Sequence, residues 1–127
     1  MTTSRKSYVY VAATGARAHA EAEESTMRSY RRLAENFASS VGAMGTTGSE
    51  ERAERAERLS SLTYEDVLRD RVAYGTSDMV VDRLRELRDR LGLAGVIIEP
   101  NVGGRIPLDR VLNSIRLYAQ EVAPRLR

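Results

Sequence analysis

At 127 residues, 42% hydrophobic and 30% charged, the chain has the size and make-up of one helix-rich globular domain. It contains no cysteine, which excludes disulfides, thiolate metal sites and cysteine nucleophiles. The 20 Lys and Arg are interspersed with 18 Asp and Glu, and one Phe with no Trp leaves little to stack on bases, so the composition argues against nucleic-acid binding.

No apolar run approaches the roughly 18 residues of a membrane span. The opening MTTSRKSYVYVAA lacks the apolar stretch of a signal peptide, so a cytoplasmic setting is expected. Ser7–Ala13 alternates Val9 and Val11 with Tyr8 and Tyr10 and predicts a short strand, closed by a turn at Thr14-Gly15. From Ala16 the alanine- and glutamate-rich text predicts a helix that ends around Ser39–Gly42. Its expected apolar face is Met27, Tyr30, Leu33, Phe37 and Val41. Gly42–Ser49 reads as a loop, and EERAERAERLSSL as a solvated or marginal helix. TYEDVLRDRVAY predicts a short helix capped by Thr63. Residues 42–72 are therefore expected to form an insertion or excursion within a single unit spanning 1–127.

The stretch from Tyr74 to Pro107 carries the clearest pattern. Thr76 or Ser77 caps a helix whose Val80, Leu84, Leu87 and Leu91 recur at i, i+4, i+7 and i+11. Gly92 supplies the left-handed residue that ends it. Gly95–Glu99 (GVIIE) is an unalternating apolar run, the pattern of a parallel strand covered on both faces. Pro100–Gly104 breaks that strand, and Pro107 opens a last helix with Val111, Ile115, Tyr118 and Val122 inward and Pro124 at its end.

Helix, strand, glycine loop and helix in that order make one step of a parallel α/β sheet or barrel. Only two strands are evident, and strands linked through helices must be parallel or separated by others. So small a sheet leaves both edges unpaired, and a complete (β/α)8 barrel needs about 250 residues. The fold expected is α/β: the C-terminal two βα units of a (β/α)8 TIM barrel, helix-rich and incomplete. A self-sufficient small α/β domain is the alternative.

Gly75-Thr76, Val80-Val81, Leu84, Leu87, Gly95–Ile98, Ser114–Ala119, Glu121-Val122 and Pro124, in that order, resemble the C-terminal end of luciferase-like flavin-dependent monooxygenases. YVYVAATGARAHAEAE is similar to the seventh strand of that family and the helix after it. Ser77 stands where the family has proline. The resemblance implies a barrel that binds FMN or F420 and oxidises a small organic substrate. It also implies that strands one to six, with most of the flavin contacts, lie outside this chain. The partner expected is then the missing N-terminal barrel segment, or a second copy through the sheet edges. The isolated chain is expected to be inactive, and no catalytic residue is assigned.

Asn101, Gly103, Gly104 and Arg105 follow the last strand, on what would be the active-site face of a barrel. Glycine N–H groups and an arginine there suit a phosphate or anionic substrate, against the plainer reading of a tight turn. Glu99 ends the apolar strand, either poised for proton transfer or held by a basic partner. Thr14 would share the rim or simply cap a helix. The single histidine, His19, reads as a surface residue. No His, Asp and Glu have metal-ligand spacing, so no metal is expected. Residues 42–62 read as a lid over the flavin or as surface decoration. A non-enzymatic helical interaction module or small α/β dimer is the competing function.

Overall fold

The computed structural model describes residues 4–41 and 48–127; residues 42–47 of the loop expected at Gly42–Ser49, and the side chains of Ser40, Val41 and Ser49, lie outside the described residues. The chain runs β1 (Ser4–Val11), α1 (Gly15–Val41), α2 (Ser49–Ser60), α3 (Tyr64–Asp70), β2 (Val72–Gly75), α4 (Ser77–Leu91), β3 (Gly95–Glu99) and α5 (Leu108–Leu117). A π-helical turn at Tyr118–Val122 and a 3-10 turn at Ala123–Leu126 continue α5 past Pro124, where the sequence predicts an end.

The fold is α/β: a parallel three-stranded sheet in the order β2-β1-β3, covered by helices. Leaving β1 in one direction and crossing back over it in the other places α1 and α4 on opposite faces, as right-handed crossovers require. Tyr10 and Tyr74 pack with α1, α3 and the start of α5 on one face. Val9, Val11 and Ala73 pack with Val80, Val81, Leu84 and Leu87 of α4 on the other. α1 approaches closely because its inward residues are small: Ala18, Ala22, Ser25, Thr26 and Ala34 are buried beside Tyr30. Leu33, expected in that face, is exposed.

Two sequence expectations change. Val72–Gly75 is a strand, not the end of a helix, because pairing with Tyr8–Val11 outweighs the local helical pattern. Val67 and Val72, within the expected excursion, are buried in the core. The strand buried on both faces is β1, whose Val9, Tyr10 and Val11 are inaccessible. β3, by contrast, is an edge, with Val96 and Ile98 packed towards α4 and Ile97 60% exposed on the other face.

The two pairings are staggered. β2 pairs with the carboxyl half of β1, Tyr8–Val11, and β3 with the amino half, Ser4–Tyr8. Ala12 N–H donates to Gly75 O on the β2 side at 3.1 Å, so Val11 N–H, one residue earlier, points to the other flank. β3 has already ended there, and Ser114 Oγ of α5 accepts that N–H at 2.8 Å. α5 thus takes the place of a strand beside the upper half of β1. This turns Val111 and Ser114 inward and leaves Leu108, Leu112 and Ile115 exposed, although Ile115 reads as a core position in the sequence. Among the described residues, no helix is long and apolar enough to cross a membrane.

Candidate functional site

In open parallel sheets, ligands bind beyond the carboxyl ends of the strands where the chain reverses its direction of winding. Here that point lies between β1 and β3. Three elements converge on it: the turn into α1, the β3–α5 loop, and the first turns of α5. Thr14 closes the β1 end as a helix cap, its Oγ1 accepting from Arg17 N at 3.1 Å.

The β3–α5 loop is held down on α1. Ser25 Oγ donates to Val102 O and accepts from Arg105 N. Asn101 clamps Ile106 from both sides, Oδ1 accepting its N–H at 3.0 Å and Nδ2 donating to its carbonyl at 3.3 Å. Gly104 N donates to Asn101 O. The N–H groups of Gly104, Arg105 and Ile106 are therefore committed within the protein. The Arg105 side chain remains exposed. Glu99 is separate from this loop: its carboxylate pairs with Lys6 of β1 at 2.7 Å, on the face that also bears Ile97. Asn101, Gly103, Gly104 and Arg105 share this loop, while the side chains of Thr14 and Glu99 make their contacts elsewhere, with Arg17 and Lys6.

The sequence did not single out the cluster at the winding reversal. Glu21 of α1, its side chain 14% exposed, accepts from Tyr10 OH at 2.8 Å. Arg17 lies 3.3 Å from the same carboxylate and Arg110 of α5 lies 3.9 Å from it. One carboxylate thus faces two guanidiniums, a local excess of positive charge. The available signal was positional, since Glu21 sits between Ala18 and Ala22 on the inward stripe of α1. No protein-family model and no curated protein matches this sequence. The site is therefore read from its chemistry alone.

Beside it runs a layer of tyrosines. Tyr10 and Tyr74 meet edge to face at 6.3 Å, Tyr74 OH and Thr26 Oγ1 are 2.7 Å apart, and Tyr64 OH donates to His19 O. His19 is half-buried: its Nε2 donates to Tyr74 O, which points outward from the free edge of β2, at 3.2 Å. A cleft of about 430 Å³ opens along that edge, lined by His19, Glu65, Tyr74, Met79 and Arg83 among others. Among the described residues no three His, Asp or Glu side chains gather as a metal set.

Burial pushes the phenols of Tyr10, Tyr64 and Tyr74 well above their ordinary value of 10.0; at Tyr10 the neighbouring Glu21 carboxylate adds to the shift. These phenols are neutral donors at physiological pH, not bases. A phenol raised by folding keeps its contribution to stability below the unfolded value and loses it as pH rises past that value. We expect stability to fall progressively above about pH 10. Phenolate absorbance and circular dichroism, followed through an alkaline titration, check this. Ionisation of all the tyrosines together near the ordinary value, with the fold intact, would refute it.

Proposed function

We propose that this chain is the C-terminal part of a luciferase-like flavin-dependent oxidoreductase, of the monooxygenase kind, acting on a small organic substrate with FMN or F420. The observation that carries the reading is β3, an apolar strand left as an edge with Ile97 60% exposed. On the same flank, Leu108 and Leu112 of α5 are 71% and 56% exposed, at a spacing that makes one continuous stripe with Ile115. An unguarded apolar edge beside such a stripe marks a surface built to be covered. Further barrel staves would cover it.

The reading makes a structural demand. Neighbouring staves of a barrel follow chain order, so β2 would lie between β1 and β3. In this chain β1 holds that place, and closure of a barrel requires β3 to leave β1 and pair with the free edge of β2. The Lys6–Glu99 pair would part in that exchange. The flavin is assigned to the assembled barrel, and the isolated chain is expected to turn nothing over.

Mixing the chain with a separately expressed polypeptide carrying the first five staves of such an oxidoreductase, the number that three strands here leave to be supplied, tests the proposal. We expect a one-to-one complex on light scattering and flavin binding that neither piece has alone. Ile97→Lys and Leu112→Glu should each weaken assembly by tenfold or more, roughly the effect of stranding a charge in an apolar interface. A chain that stays monomeric beside its supposed complement, or that pairs only with itself, would remove the oxidoreductase reading. The second outcome would instead favour the small dimer.

A further inference from the structure

The stagger of the sheet leaves a notch. β2 begins opposite Tyr8, so on that side the amino half of β1 has no strand beside it among the described residues. Since Ala12 N–H turns to the β2 side, alternation turns the backbone N–H and C=O of Lys6 into the notch as well. The space there is a cavity of about 380 Å³, lined by Arg5, Lys6, Tyr8, Tyr30, Asp70 and Arg71.

Its charges do not cancel. Lys6 is answered by Glu99 at 2.7 Å, and Asp70 by Arg69 at 3.0 Å. That leaves Arg5 and Arg71 with no carboxylate partner among the described residues; the Arg71 guanidinium lies over the Tyr30 ring, 5.8 Å from its centroid. A second, much smaller space of about 20 Å³ shares Arg5, Lys6, Asp70 and Arg71 and adds Arg83. That volume suits a single water. Arg83, which lines it, has a buried Nε without a hydrogen-bond partner.

We propose that this notch binds a phosphate monoester, the phosphate held by Arg5 and Arg71 and its organic part resting against Tyr8. Two uncompensated guanidiniums match the two charges and the several acceptor oxygens of such a group. The exposed strand backbone of Lys6 adds one further donor. Arg83 Nε would be satisfied through the water of the small side space. The site lies at the amino end of the strands, away from the Glu21 crevice, and does not depend on the flavin reading.

The test is an amide-resolved NMR titration of the full chain with inorganic phosphate and with phenyl phosphate, at constant ionic strength, with sodium chloride as control. We expect saturable shifts confined to the β1 amino half and Arg71, with phenyl phosphate binding more tightly than inorganic phosphate. Arg5→Gln and Arg71→Gln should each weaken binding by about tenfold, the loss of one charge-assisted contact, without lowering the melting temperature. Equal affinity for the two probes would overturn the role of Tyr8 and with it the monoester. Shifts that chloride reproduces, that fail to saturate at tens of millimolar, or that survive both substitutions would overturn the site. Melting curves of both variants separate loss of binding from loss of fold.

Discussion

Replacing Gly103 by alanine is expected to destabilise the protein by about 3 kcal/mol or more, whereas the same change at Gly104 costs about 1 kcal/mol. Both residues sit at positive φ, +85° and +71°, so each variant carries the left-handed strain of an L side chain. They differ in what a new methyl group meets. At Gly104 there is open space within 4 Å, while at Gly103 a Cβ would fall 1.9 Å from the backbone carbonyl oxygen of Ser25. That oxygen belongs to α1 and cannot swing aside as a side chain does. Relief requires the loop to lift off the helix, which breaks the bonds of Ser25 Oγ to Val102 O and Arg105 N. Urea unfolding of the two variants measures the contrast, with an unchanged slope needed for a clean comparison. Equal midpoints would mean that the loop is not anchored as described.

The second large effect is expected from α4. Leu84→Ala should cost about 2–5 kcal/mol, because the side chain is 1% exposed between the helix and the sheet and its removal leaves a cavity. Leu91→Ala should cost less than about 0.5 kcal/mol, since Leu91 is 43% exposed at the end of the same helix. The pair is informative because periodicity alone places both leucines on one inward stripe. The sheet decides between them: it is only three strands wide, and α4 outruns it. Thermal melts of the two variants settle the point, and similar losses at both positions would imply cover for Leu91 that the described fold does not supply.

How far the sequence reaches varies along the chain in a consistent way. The caps were legible: Thr63 with Asp66, Thr76 over Met79, and Gly92 at φ 65° all act within a few residues of themselves. The helix over Ser77–Leu91 and the strand over Gly95–Glu99 were legible for the same reason. Val72–Gly75 was not, because a four-residue strand after a helical run is fixed only by the partner it finds 64 residues earlier, Tyr8 opposite Val72. The same holds for Ser114, a polar residue at an inward position whose role is to accept the Val11 N–H. Glu21 lies on the inward stripe of α1 with Ala18 and Ala22, which sets it apart from Glu23 and Glu24, but its role is fixed only by the arrival of Tyr10 and the two arginines.

The caps of α3 and α4, the apolar stripe of α4 and the runs apolar enough to form β1 and β3 follow from short-range steric and hydrogen-bonding rules, so the sequence alone determined them. The order of the strands, which of them is central, which apolar faces stay bare and which charges are left unanswered depend on contacts between residues far apart in the chain. Only the folded structure decided those, because burial is a property of the neighbours a residue meets and not of the residue itself.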